Sequence, residues 1–147
     1  MLKVLSITLV LSWIALIFSF SMQDAYVSSE VSKGFTKDII RVIGFLSQDI
    51  ALAIDLDTFH AMLRSFAHFI LYFFLGLWVV SALKYYFNDW FRLLIDSTLF
   101  GLIIAIFDEL YQSMVPGRVM SMNDIFIDTL GVLLGSILMV LVVFKGP

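Results

Sequence analysis

Four apolar stretches constrain what this chain can fold into: Val4 to Phe20, Phe66 to Leu83, Leu93 to Phe107 and Ile125 to Phe144. A helix crossing a bilayer needs about 20 mainly apolar residues, with roughly 17 to 25 tolerated. Backbone amides in lipid have no water to bond, so such segments fold as helices that satisfy their own hydrogen bonds. Composition agrees, with 61% hydrophobic residues, 14% charged residues and a mean hydropathy of +1.02, whereas soluble domains are about a quarter charged. The expected fold is all-α: a polytopic membrane protein, one domain over 1–147, built as a bundle of four transmembrane helices. The third stretch is the shortest and has Asp96 near one end, so it is expected to be short, tilted or supported by its neighbours. The first has the position of a secretory leader, but no small-x-small cleavage site follows before Gln23 and Asp24, and it reads as a retained anchor.

Several function classes fall away at once. The chain has no cysteine, which removes disulfides, thiol nucleophiles and thiolate metal sites. Its net charge is only -3 and no Lys/Arg-rich run is present, so nucleic acid is not an expected partner.

Lys and Arg are retained in short cytoplasmic segments beside membrane spans. With four spans both termini share a side, and Lys3, Lys84, Arg92 and Lys145 fall in very short segments there. That side is assigned to the cytoplasm. The opposite side carries Lys33, Lys37, Arg41, Arg64 and Arg118 spread over longer loops and outnumbered by ten acidic residues. The expected location is a bacterial cytoplasmic membrane, with the N and C termini inside.

Between the first two spans lies an extracytoplasmic loop, about 21–63, too long for a bare connector. Val31, Phe35, Ile39, Ile43 and Leu46 recur there at helical spacing, and Lys33, Lys37 and Arg41 form a basic stripe at i, i+4, i+8. This predicts an amphipathic helix in the membrane interface, its basic stripe either facing anionic headgroups or simply solvated. Asp55 and Asp57 precede the next apolar-periodic run as helix N-cap residues do, which starts the second helix near Thr58.

On that helix His60, Arg64, His68 and Tyr72 follow at i+4 steps along one stripe. Arg64 can grip phosphate or carboxylate and His68 can shuttle a proton or orient a ligand; equally, Arg64 can snorkel and His68 can satisfy a neighbouring group. Ser97, Gly101, Asp108 and Gln112 share one face of the third span, with Glu109 beside it. Asp124 and Asp128 stand one turn apart on the fourth span, continued by Gly131 and Gly135 as a G-x-x-x-G pair suited to close packing or to a homo-oligomer contact. Pro116-Gly117 predicts a tight turn that brings Arg118 back toward Asp108, Asp124 and Asp128.

Ionisable groups at membrane depth read by default as a functional site. This cluster permits three uses: a carboxylate metal site, a general acid/base pair, or an ion-pair network that only holds the bundle together. The catalytic candidates are Asp108, Glu109, Asp124, Asp128 and His68. No metal set is assigned and no cofactor is expected. A serine hydrolase is disfavoured, because Ser21 and Ser121 lack a G-x-S-x-G setting and His68 has no orienting partner visible in sequence.

Taken together, Ser21-Met22-Gln23 after the first span, Arg64 with Ala67-His68-Phe69 and Tyr72 in the second, and Asp108-Glu109-x-x-Gln112 running through Pro116-Gly117-Arg118, Ser121, Asp124, Asp128 and Gly131 resemble the VanZ-like family of bacterial membrane proteins. The resemblance covers most of the chain and is weakest over 27–56. The family often has a basic residue where Ser65 stands and an acidic one where Leu71 stands, so no proton relay through the second span is carried over. What the resemblance implies is an envelope context, low-level resistance to the lipoglycopeptide teicoplanin, and no particular reaction. On that reading Arg64 and Arg118 are anion clamps, and Gln23 and Gln112 are neutral hydrogen-bond partners. His68, Tyr72 and Ser121 complete the binding set. Membrane lipids, a lipid-linked wall precursor or a lipoglycopeptide are the expected partners. A membrane-embedded enzyme acting on a lipid phosphate or lipid-linked wall precursor, and a structural or assembly partner whose cluster only staples helices, are the alternatives.

The native absence of cysteine makes the topology directly testable. A cysteine at Met120 is expected to react with a membrane-impermeant maleimide in intact cells and one at Asn88 to stay unlabelled; the reverse pattern would put the polar cluster in the cytoplasm.

Overall fold

The computed structural model describes residues 1–23 and 25–145, leaving out the side chains of 25–29, 31 and 145. Asp24 and the side chains of Val31 and Lys145, all used in the sequence reading, therefore lie outside the described residues. The elements are α1 (Leu2–Ser21), α2 (Ala25–Leu46), α3 (Gln48–Ala53), α4 (Leu56–Leu83), α5 (Trp90–Gln112) and α6 (Met122–Lys145). Four of them, α1, α4, α5 and α6, are long and apolar enough to cross a membrane, and the chain is a multi-pass membrane protein. Large apolar side chains such as Phe66, Leu99, Phe107, Phe126 and Leu138 are exposed on the bundle's outside, where lipid takes the place of water.

Local signals set the helix ends. Asp55 caps α4 by accepting from the Thr58 amide at 3.0 Å and from the Thr58 hydroxyl at 2.6 Å, which also holds its carboxyl below the usual range. Asp57 follows in the first turn, where a negative charge meets the positive end of the helix dipole. Asp89 caps α5 through the Arg92 amide at 2.6 Å. Pro116 and Gly117 form the predicted turn: the Arg118 amide donates to the Val115 carbonyl at 3.1 Å, and Gly117 has φ 82°, which suits glycine alone among common residues.

Of the three expectations for the third span, short, tilted or supported by its neighbours, support is what the structure shows: α5 runs for 23 residues, continuing through Asp108, Glu109 and Gln112. These polar residues ended the apolar count without ending the helix, because all three are buried against neighbouring helices. The loop helix exists as α2, 22 residues long, with Phe35, Val42, Phe45 and Leu46 exposed and Thr36 fully buried. The short α3 was not anticipated.

Packing centres on α4 and α6, which share the most extensive contact in the molecule. Glycine makes it possible. A Cβ at Gly131 would lie 2.6 Å from the Phe69 carbonyl oxygen, one at Gly135 2.0 Å from that of Phe73, and one at Gly76 2.3 Å from that of Val132. The Gly131/Gly135 face is thus filled by α4 of the same chain, the close-packing use of the pair. Partners across the interface run in a fixed register: Arg64 with Asp124, His68 near Asp128, and Gly76 against Ser136 are each 60 positions apart, so the two helices run parallel. Deeper in, the Ser97 and Ser136 hydroxyls bond at 2.9 Å and tie α5 to α6. Helix α1 joins through the Trp13 indole N–H, which donates to the Leu71 carbonyl at 2.8 Å.

The end of the bundle holding Lys3, Lys84 and Arg92 is rich in aromatic rings. Lys3 Nζ stands 3.8 Å over the Tyr86 ring, and the Arg92 guanidinium 3.9 Å over Phe87. Aromatic and basic side chains together mark a membrane–water interface.

Gly135→Val is expected to abolish folded protein, because its Cβ meets backbone and not a movable side chain. Monodisperse yield in detergent measures this; a wild-type elution profile would show that α4 and α6 do not pack this closely.

Candidate functional site

Parallel packing of α4 on α6 places two i, i+4 ladders face to face. Arg64 donates from Nη2 to Asp124 Oδ2 at 3.0 Å, with the Arg64 side chain 57% exposed and Asp124 buried. One turn deeper, His68 Nδ1 stands 3.4 Å from Asp128 Oδ1, outside hydrogen-bond geometry. The carboxylate that sequence could not place beside His68 therefore comes from α6. Tyr72, a further turn in, is fully buried.

Helix α5 brings the second half of the site. Asp108 accepts from the Ser21 hydroxyl of α1 at one oxygen and from Gln112 Nε2 at the other, the latter at 3.1 Å. Gln112 in turn accepts from Arg118 Nη1 at 3.2 Å. Of the expected neighbours Asp108, Asp124 and Asp128, Arg118 reaches Asp108 through Gln112 and does not pair with the other two; no carboxylate lies within ion-pair distance of it among the described residues. Burial and then the neighbouring charge of Arg64 lower its pKa, opposed by Asp108 and Glu109. Two guanidinium groups therefore converge on one region, as an anion site requires.

Glu109 and Ser121 have structural partners. Glu109 Oε2 accepts from the Ser121 amide at 2.7 Å, and the Ser121 hydroxyl accepts from the Asp124 amide at 3.2 Å, capping α6. Ser121 is absent from the cavity wall described next, so its polar atoms serve the helix end.

A cavity of about 680 Å³ opens beside this cluster. Its polar wall is Ser21, Gln23, Arg64, His68, Tyr72, Asp108, Gln112 and Arg118, and its apolar wall includes Phe20, Phe35, Phe66, Ile70 and Leu71. The structure thus gathers Gln23, Arg64, His68, Tyr72, Gln112 and Arg118 around one space. His60 lies outside it. Ser32 and Phe35 were not singled out as site residues; they reach the wall because α2 packs on α4, which no periodicity in α2 specifies.

Polar atoms without partners concentrate here: Tyr72 OH, His68 Nδ1, Glu109 Oε1 and both Asp128 oxygens. Each buried, unpaired polar group costs about 1–3 kcal/mol, and more when charged. Chemically the arrangement can clamp an anion through two arginines, exchange a proton between His68 and Asp128, or hold a cation between carboxylates.

Arg64→Ala leaves Asp124 buried and unpaired and is expected to cost about 1–2 kcal/mol, below the full penalty for a broken buried pair because Arg64 is half exposed. Arg64→Ala combined with Asp124→Asn is expected to recover most of that loss. Thermal unfolding of the four proteins in one detergent reads the coupling, and additive losses would deny it.

A family model described as VanZ/LLP1 matches residues 6–143. Searches among curated proteins and among solved structures returned no match. The matched segment contains all of α4 and α5, most of α1 and α6, and every residue lining the cavity, and the chain belongs to the VanZ/LLP1 family.

Proposed function

We propose that this protein acts in the bacterial cytoplasmic membrane and that its pocket faces outward, binding the anionic head of a lipid-linked wall precursor and lowering teicoplanin binding at the cell surface. The observation that carries this reading is the cavity's mixed lining, part polar and part apolar. Arg64, Arg118, Gln23 and Gln112 offer charge-assisted and neutral hydrogen bonds to a phosphate-bearing head. Phe20, Phe66, Ile70 and Leu71 offer an apolar flank to the attached chain, and Phe66 is 60% exposed toward where lipid would lie. An amphiphile fits such a site; a free polar metabolite leaves the apolar flank unused.

Orientation follows from charge density. Lys3, Lys84 and Arg92 sit in short segments among aromatic rings, which supports placing that end in the cytoplasm. The exposed apolar side chains of α2, with Lys37 and Arg41 exposed beside them, support an interfacial seat next to the pocket mouth.

A second reading, an enzyme acting on the same lipid phosphate, is favoured by the His68–Asp128 approach. A histidine beside a buried carboxylate is a common general acid/base arrangement.

The test is teicoplanin susceptibility in a Gram-positive host lacking this protein, complemented with wild type, Arg118→Ala or Asp128→Asn at matched membrane abundance. Wild type is expected to raise resistance and both variants to lose it. Equal behaviour of all three with the empty vector would end the resistance reading, while wild-type resistance in both variants would make the cluster a helix staple.

A further inference from the structure

We propose that His68, Asp108 and Asp128 form a divalent-cation site at the edge of the cavity, with His68 and Asp108 in its wall, suited to Zn²⁺ or Mn²⁺. Three helices, α4, α5 and α6, each contribute one residue, and the three ligand atoms lie within 4.8 Å of one another. Ligands held about 2.0–2.2 Å from a tetrahedral ion stand about 3.3–3.6 Å apart, so a pair at the outer limit of that spread draws in by about 1 Å to close on an ion.

A second observation points independently to a ligand. Tyr72, outside the trio, is fully buried, lines the same cavity as His68 and Asp108, and has no partner for its hydroxyl. Asp128 is likewise fully buried with neither oxygen bonded, and His68 Nδ1 is unpaired. A carboxylate with no donor at membrane depth is among the costliest arrangements in a protein. A cation resolves these vacancies together: it takes a lone pair from His68 and an oxygen from each aspartate, and a water bound to it can accept from the Tyr72 hydroxyl.

Charge and supporting bonds agree. The cluster holds Asp108, Glu109, Asp124 and Asp128 against Arg64 and Arg118, and Arg64 is already paired with Asp124. Two negative charges are left over, which one divalent ion balances. Asp108 is oriented by Ser21 and Gln112, the kind of outer support that metal-bound carboxylates carry. One nitrogen and two oxygens suit a first-row divalent ion better than Ca²⁺, which takes six to eight oxygens. Three protein ligands leave positions open toward the cavity, as in sites where a metal meets a bound molecule. The cation site does not rest on the envelope reading, and metal can bind whether or not teicoplanin resistance follows.

The test uses the full chain in detergent, stripped with EDTA, exchanged into metal-free buffer and titrated with Mn²⁺ alone. Loss of the free-ion electron paramagnetic resonance signal reports binding, and Zn²⁺ is added afterwards as competitor. Wild type is expected to bind one Mn²⁺ per chain and release it to Zn²⁺. Asp128→Asn is expected to weaken binding on the order of 100-fold, and Asp38→Asn, exposed on α2 and outside the cluster, to leave it within a few fold. Should Asp128→Asn fail to fold, His68→Asn takes its place with the same expectation. Absence of saturable Mn²⁺ binding to wild type, or unchanged binding in the folded ligand variant, overturns the proposal.

Discussion

Contact between the backbones of α4 and α6 is the constraint on which the rest of the structure depends. Gly131 and Gly135 let α6 approach until the Phe69 and Phe73 carbonyls occupy the space a side chain would need. In lipid there is no hydrophobic drive to bring two apolar helices together, so close van der Waals packing has to supply it. That contact also fixes rotation and register. Once Gly135 meets Phe73, Asp124 can only face Arg64 and Asp128 can only face His68. The polar site is thus a consequence of apolar packing two turns away.

The cluster itself works against stability. Asp128 and Tyr72 are fully buried with unbonded polar atoms, and an apolar pair of similar volume would pack at lower cost. Only part of the cluster is closed by internal bonds: Arg64–Asp124, the Ser21–Asp108–Gln112–Arg118 chain, and the Glu109–Ser121 cap. Of the part left open, His68 and Tyr72 line the cavity, where a bound anion, a cation or both can supply what the chain does not. Unmet polar groups of this kind are characteristic of binding sites that give up stability for function.

Much of this was legible in the sequence, in a way that follows from what sequence encodes. Span length and helical spacing are local, and they located all four membrane helices, the Asp55 cap, the Pro116-Gly117 turn and the buried stripe Ser97, Gly101, Asp108, Gln112. Partner choice is not local. Arg118 was expected to return toward Asp108, Asp124 and Asp128, but Arg64 already pairs with Asp124, and Arg118 bonds Gln112, which carries it to Asp108 alone. The 60-residue register between α4 and α6 depends on which helices are neighbours, and nothing in either helix alone names its neighbour. The full length of α5 was not legible for the same reason, since polar residues end an apolar run without ending a helix once neighbouring helices bury them. Gly131 and Gly135 were recognised as a packing face, while the identity of the packed partner, α4 and not a second copy, required the fold.

The central claim is that the buried cluster exists to meet a ligand and not to hold the bundle together. It is tested most directly by the thermal stability of Asp128→Asn beside wild type, in detergent and metal-free buffer. Removing a buried carboxylate that no internal donor satisfies predicts a midpoint equal to or above that of wild type. A drop equivalent to about 3–5 kcal/mol, the cost of breaking a buried ion pair, would contradict the account and make Asp128 a structural staple.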